Sequence, residues 1–148
     1  MKELPIPALR RLSDEVWISG QPGAGQLAAA RDAGLRTVVS LCPAGECGWD
    51  ERAAAAALGL AYATLPVGAA CDLTPAAAHQ LHELLESCAK PVLVHCGSGN
   101  RVGALFALKA FHVHGHTPED ALAHGRAAGL TGLENAVRAL LTSNGGLS

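Results

Sequence analysis

The chain has 148 residues, of which 49% are hydrophobic and 16% charged, and its formal net charge is −2 at pH 7. This length predicts a single domain over residues 1–148, with a core that needs neither disulfides nor a metal. The near-neutral charge gives no general attraction to nucleic acid or to an anionic membrane surface, so we expect neither as a partner. The five cysteines, an odd number at irregular spacings, favour reduced thiols.

The N-terminal segment carries prolines and charges instead of an apolar core, so we expect no secretory signal and a cytoplasmic location. The longest stretch without a charge, residues 53–71, has the length of a membrane span. Because it is diluted by alanines, glycines, Thr64 and Pro66, it is more typical of a helix followed by a buried strand. We therefore expect a soluble protein.

Strands and helices alternate along the predicted chain. Apolar and β-branched runs predict strands over residues 16–19, 36–41, 60–65 and 92–94. Helices are expected over residues 23–33, 49–58, 75–89, from 101 onward, 118–128 and 133–141, two of them opened by the Thr-Pro pairs at 74–75 and 117–118. This order predicts an α/β fold with a mainly parallel sheet of about four strands, flanked by helices and followed by a helical tail.

The segment over residues 91–103 is the strongest candidate for chemistry. A buried strand stops at His95 and Cys96, a short glycine-containing turn follows, and the sequence becomes helical from Arg101. Free backbone N–H groups and the positive end of a helix dipole favour bound anions and also favour a thiolate over a thiol. Gly97 and Gly99 permit the backbone to wrap an anion, and the planar guanidinium of Arg101 can hold two oxyanion oxygens. The simpler alternative is a buried cysteine before an ordinary turn.

At these residues the chain resembles the cysteine-dependent phosphatases, and among them the bacterial beta-lactamase hydrolase-like phosphatases. Residues 16–22, 33–41 and 65–67 are similar to other segments of that family, and the resemblance covers roughly residues 14–142. It implies a phosphatase-like fold and hydrolysis of phosphomonoesters without a cofactor. Cys96 would form a phosphocysteine and Arg101 would clamp the phosphate. The implied substrate is a phosphorylated protein or a small phosphoester.

The loop departs from the usual pattern of this superfamily in two ways. Four residues separate Cys96 from Arg101, where tyrosine phosphatases place five, and Val102 replaces the usual hydroxyl residue. The four are Gly97, Ser98, Gly99 and Asn100. A spacing of four is used by rhodanese sulfurtransferases, which carry a persulfide on the cysteine. Two alternatives therefore stay open: a rhodanese-like sulfurtransferase, and a module that binds phosphate without turnover.

The resemblance also suggests a general acid. Dual-specificity phosphatases carry an aspartate on the loop before the preceding helix, and Asp72 occupies the matching place. Proton donation to the leaving group is typically worth about 10²–10⁴-fold in rate. Asp72 could equally stabilise the helix that begins after Thr74. Glu46 and Asp50 are the alternative acids.

Several further residues have supporting or neutral interpretations. His95 either hydrogen-bonds the loop backbone or is a plain buried histidine. Gln21 could orient the hydrolytic water. Ser98 and Asn100 could contact an oxyanion or simply stabilise the turn. The carboxyl ends of parallel strands meet at one edge of the sheet, so we expect three loops to converge on Cys96. The first carries Gln21, the second carries Glu46, Asp50 and Glu51, and the third carries Asp72.

Other cysteine and histidine patterns bear on redox and metal chemistry. Cys71 could trap oxidised Cys96 as a disulfide, although a small apolar residue at a strand–helix junction explains it more simply. Cys42 and Cys47 lack a second pair, and His112, His114 and His116 alternate without sharing a helical face. We predict no metal.

Overall fold

A computed structural model describes residues 9–42, 51–67, 73–96 and 100–147. These ranges contain five strands: β1 Arg10–Arg11, β2 Val16–Ser19, β3 Thr37–Ser40, β4 Ala61–Thr64 and β5 Val92–His95. They contain six helices: α1 Ala24–Asp32, α2 Glu51–Ala57, α3 Pro75–Ser87, α4 Asn100–His112, α5 Pro118–Ala127 and α6 Glu134–Leu147. The mixed α/β architecture predicted from the sequence is confirmed.

The strands form one sheet in the order β1-β2-β5-β3-β4. Every neighbouring pair is parallel except β1 and β2. In the register of the parallel strands, Ser19 lies opposite His95, His95 opposite Ser40, and Ser40 opposite Thr64. The last residue of each parallel strand therefore lies in one row at the carboxyl edge, with β5 in the middle.

The short strand β1 was not indicated by the sequence. Arg10 and Arg11 are both exposed and show none of the apolar alternation that predicts a strand. The guanidinium of Arg11 lies over the ring of the buried Trp17, 4.5 Å from its centroid, which holds this edge against β2. The sheet thus has one strand more than the four predicted.

Helices cover both faces of the sheet because alternate strand residues point to opposite sides. Ile18, Val39 and Val94 belong to the larger buried cluster, together with residues of α3, α4, α5 and α6. Trp17, Val38 and Leu93 belong to a second cluster with residues of α1 and α2. The central strand β5 is apolar on both faces, which explains why it appears in the sequence as a continuous hydrophobic run.

Helix α4 is locked against the end of α5 through two glycines. A Cβ atom built on Gly103 would lie 2.2 Å from the backbone nitrogen of Leu130, and one on Gly125 would lie 2.9 Å from the Cβ of Ala107. The two helices approach closely only because neither glycine carries a side chain. This contact fixes the first turns of α4.

The predicted helix caps are present. The Thr74 hydroxyl accepts a hydrogen bond from the Ala77 N–H at 3.1 Å, and the Thr117 hydroxyl accepts one from the Asp120 N–H at 3.2 Å. A proline follows each of these threonines in the first helical turn. Across the described ranges, every helix is too short or too polar to cross a bilayer.

Candidate active site

Buried polar side chains gather at the carboxyl edge of the sheet. Ser19, Ser40 and His95 end three neighbouring strands, and all three are buried, as is Glu51 at the start of α2. Polar groups are rarely buried without a structural or chemical reason, because each must be hydrogen-bonded to offset its lost hydration. This edge is where open parallel sheets bind their ligands.

Cys96 lies directly beyond β5 in the centre of this row. Its N–H donates to the Ser19 carbonyl at 3.4 Å, and the carbonyl of the preceding residue, His95, accepts from the Leu41 N–H at 2.8 Å. The backbone at the candidate nucleophile is therefore held from both sides by neighbouring strands. The residue is buried and, like Cys42 and Cys88, it is a thiol.

Arg101 is half-buried in the first turn of α4, and it reaches back to the segment that follows β4. Its Nη1 donates to the Val67 carbonyl at 2.9 Å. The Val67 N–H in turn donates to the Leu41 carbonyl at 2.8 Å, which ties this segment to the chain that leaves β3. One of the five guanidinium donors thus anchors the side chain and orients its plane.

His95 and Glu51 form a buried pair that the sequence did not identify. The His95 Nε2 and the Glu51 Oε2 are 2.5 Å apart, with the His95 side chain 0% exposed and that of Glu51 2% exposed. The Tyr62 hydroxyl donates to the other carboxylate oxygen, Oε1, at 3.2 Å. The pair joins α2 to the residue that precedes Cys96.

A sequence signal for Glu51 did exist. Glu51 lies one helical turn before Ala55, and these are the two buried residues of α2. A carboxylate on the same helix face as a buried alanine points towards the sheet, where it needs a partner. Glu51 contacts the histidine that ends β5, whereas Glu46 and Asp50, the alternative acids, lie outside the described residues.

Gln21 lies at the same edge, next to Cys42. The Cys42 thiol donates to the Gln21 Oε1 at 3.5 Å, and the Gln21 Nε2 donates to the Pro22 carbonyl at 3.0 Å. The chain segments that leave β2 and β3, the strands on either side of β5, therefore meet at the carboxyl edge of the sheet.

Most of the remaining predicted site residues lie outside the described residues, and for one of them the side chain does. Asn100 is the first residue of α4, and only its backbone is described. The residues that fall in the gaps between described ranges are Glu46, Cys47, Asp50, Cys71, Asp72, Gly97, Ser98 and Gly99.

The other histidines gather at the opposite end of α4. The His82 and His114 rings have centroids 5.6 Å apart, and those of His116 and His124 are 4.7 Å apart. Within the described residues, no group of three or more His, Cys, Asp or Glu side chains is arranged to hold a metal ion.

Comparison with known proteins identifies a family. Residues 8–112 match the family model described as beta-lactamase hydrolase-like protein, phosphatase-like domain. A beta-lactamase hydrolase-like protein of Xylella fastidiosa is 35% identical over 102 residues, which are 66% of this chain and 23% of that protein. The match thus spans about a quarter of the length of the curated relative.

Solved phosphatase structures share the fold. A candidate phosphatase from Neisseria meningitidis superimposes with a TM-score of 0.75 at 22% identity, covering 96% of this chain and 99% of the other. Tk-PTP superimposes with a TM-score of 0.68 at 19% identity, covering 95% of this chain and 98% of the other. TpbA of P. aeruginosa, solved in complex with pTyr, superimposes with a TM-score of 0.61 at 22% identity, covering 96% of this chain and 94% of the other.

Proposed function

Since the chain belongs to the family of the phosphatase-like domain of beta-lactamase hydrolase-like proteins, we propose that residues 1–148 form one domain that hydrolyses phosphomonoesters through a phosphocysteine on Cys96. The observation that carries the proposal is the place of this buried thiol. It lies between the central strand β5 and the helix α4, whose first turn holds Arg101. Strand, thiol and arginine then surround one anion site.

The proposed reaction has two steps. The Cys96 thiolate attacks phosphorus, the bond from phosphorus to the leaving oxygen breaks, and that oxygen takes a proton from Asp72. Water then attacks phosphorus, the phosphorus–sulfur bond breaks, and the thiolate and inorganic phosphate are released. The proton lost by the water returns to the Asp72 carboxylate. The N–H groups of residues 97–100 and the Arg101 guanidinium hold the phosphate oxygens in both steps, and Gln21 orients the water.

The contact between Arg101 and Val67 supports the role of Asp72. The chain leaves Val67, which accepts a hydrogen bond from Arg101, and returns at the buried Leu73 just before α3. Asp72 lies on this short connection. The segment that carries Asp72 thus starts next to a residue that is hydrogen-bonded to the proposed phosphate clamp.

One observation favours a second candidate function. The interval of four residues between Cys96 and Arg101 is the rhodanese spacing, in which the cysteine carries a persulfide. A sulfurtransferase needs no general acid, so Asp72 would then be replaceable.

Parallel assays of the purified chain distinguish the candidates. We expect turnover of para-nitrophenyl phosphate, chosen because the relative TpbA was solved with pTyr, and no sulfur transfer from thiosulfate to cyanide. Cys96→Ser should abolish turnover while inorganic phosphate still binds, whereas Cys88→Ser, at a half-buried thiol, should retain it. Sulfur transfer that depends on Cys96 would establish the rhodanese-like alternative. Phosphate binding without either turnover would establish a binding module.

The acid is tested by varying the leaving group. Asp72→Asn should slow aryl phosphates with poor leaving groups far more than those with good ones, because only the former need protonation. We expect the natural substrate, a phosphorylated residue or a small phosphoester, to have a poor leaving group. An equal loss on all substrates would move the role to Glu46 or Asp50.

A further inference from the structure

We propose that a groove at the C-terminal end of α4 binds a tetrahedral oxyanion, a phosphoryl or sulfo group carried on a small apolar body. The groove has a volume of about 470 Å³. Its polar walls are Lys109, His114, His116 and His124, and its apolar walls include Leu12 and Phe106. It lies at the opposite end of α4 from the candidate active site, so the inference does not depend on the proposed phosphatase activity.

The turn after α4 brings two of the alternating histidines to this groove. The turn contains Gly115, whose φ of 73° lies in the left-handed region that favours glycine. The His114 N–H donates to the Lys109 carbonyl at 3.3 Å. The His116 N–H donates to the Ala110 carbonyl at 3.0 Å. Both histidines therefore line one groove and are tied to the last turn of α4, although their spacing cannot share a helical face.

Lys109 is half-buried in this groove and forms no ion pair with the described residues. Its Nζ donates to the His114 Nε2 at 2.8 Å, and an ammonium has three N–H donors, so two of them remain for a ligand. Burial lowers the pKa of Lys109, and the Glu86 carboxylate on α3 opposes this only in part. A bound anion would offset the lost hydration of this cation.

The same contact determines which nitrogen of His114 carries the proton. A lysine ammonium can only donate, so Nε2 accepts and the neutral ring keeps its proton on Nδ1. Burial is the largest cause that lowers the pKa of His114, followed by Lys109 and three other histidines. The surroundings of this ring are therefore basic, and its Nδ1–H is a further donor for an oxyanion.

The donors reach the groove from several directions. His116 and His124 add two more imidazoles, with ring centroids 4.7 Å apart, from the turn and from α5. None of the described residues that line the groove is acidic. Asp120 lines an adjoining depression that shares these two histidines, so we expect the anion on the side of Lys109. Donors that surround a space suit the three free oxygens of a phosphoryl or sulfo group better than a planar carboxylate.

The remaining features define the rest of the ligand. The groove is several times larger than a phosphate ion, and Leu12 and the half-buried Phe106 offer apolar contact to a small organic group. The described lining residues include no serine, threonine or cysteine, so we expect binding without a covalent step. A metal ion is a poorer fit, because no three described His, Cys, Asp or Glu side chains are placed as ligands.

The direct test is a titration of the full chain with phenylphosphonate, whose carbon–phosphorus bond a phosphatase does not hydrolyse. Carbon-13 NMR of the histidine rings should show saturable shifts for His114, His116 and His124, with a Kd of about 1 mM or lower. The signal of His79, which lies outside the groove, should not move. Benzoate should bind at least roughly tenfold more weakly. No saturable shift at the three rings up to about 10 mM phenylphosphonate would overturn the proposal.

Matched lysine variants identify the charge that matters. Lys109→Met keeps most of the side-chain volume and should weaken binding by roughly tenfold or more, whereas Lys90→Met should not change it. If Lys109→Met does not fold, His124→Ala at an exposed position replaces it and should also weaken binding. An unchanged Kd in the folded variant would refute the proposal.

Two further arms separate the groove from other sites. Arg101→Met removes the proposed phosphate clamp and should leave the shifts of the groove histidines unchanged, so failure of the proposed function and failure of this inference are distinguishable. Loss of the groove shifts in that variant would contradict a separate site. Zinc chloride added alone tests the metal alternative: saturable shifts at micromolar zinc, with none from phenylphosphonate, would establish a metal site and overturn the proposal.

Discussion

The two ends of helix α4 place histidines in opposite surroundings. Before its N-terminal end, His95 is fully buried and bound to a single carboxylate. Beyond its C-terminal end, His114 is exposed, and histidines and Lys109 line a groove with a volume of about 470 Å³. The comparison teaches that histidines of this chain differ both in their burial and in the charged groups that surround them.

Two histidines at this end of α4, His112 and His114, have a lowered pKa. Partial burial is the largest cause that lowers the pKa of His114, and the neighbouring Lys109, whose Nζ lies 2.8 Å from the His114 Nε2, lowers it further. The pKa of His112 is also lowered, first by burial and then by His79. At this end of α4 the described contacts thus favour neutral imidazoles at His112 and His114.

The largest effect on the free energy of unfolding is expected when the buried pair of Glu51 and His95 is broken. Glu51→Ala should lower the free energy of unfolding by about 3–5 kcal/mol, because it leaves a buried imidazole without its partner. His124→Ala, at an exposed position in the groove, should change it by less than about 0.5 kcal/mol. Urea denaturation of both variants measures the difference. Equal losses would show that the two surroundings do not differ as described.

The next effect concerns the packing that holds the N-terminal part of α4. Gly103→Ala should cost about 1–3 kcal/mol and lower turnover, because the new methyl group would overlap the Leu130 backbone and displace the helix that carries Arg101. Gly25→Ala in α1, where a Cβ would meet no atom within 4 Å, should instead stabilise the fold by about 0.5–1 kcal/mol. Thermal unfolding and para-nitrophenyl phosphate assays check both. A Gly103→Ala protein with wild-type stability would mean that this contact is not tight.

The smallest effect is the pH dependence of the groove. A histidine whose pKa is lower in the folded chain than its ordinary 6.5 is protonated more readily when unfolded. Its stabilising contribution is therefore present above pH 6.5 and lost as the pH falls towards the folded value. His114→Asn should flatten the fall in Tm between about pH 7 and pH 5. An unchanged slope would show that His114 does not titrate as described.

Local sequence patterns predicted most of the fold. The strand at residues 16–19, the two Thr-Pro helix starts and the position of Cys96 at the carboxyl edge all follow from short-range chemistry. What the sequence did not reveal depends on contacts between distant segments. The Glu51–His95 pair joins residues 44 positions apart, and Gly103 is required only because Leu130 packs against it. Strand β1 is held by pairing with β2 and by a contact of Arg11 with Trp17, neither of which leaves a periodic signal.

The most direct test of the central claim is to trap the covalent intermediate. Wild-type protein mixed with excess aryl phosphate is quenched in acid within the first turnover, and its peptides are analysed by mass spectrometry. The account predicts a phosphoryl group on the peptide containing Cys96, and none on that peptide from Cys96→Ser. Turnover without any phosphoryl adduct on Cys96, or a persulfide on Cys96 after incubation with thiosulfate in a protein that hydrolyses no phosphate, would contradict it.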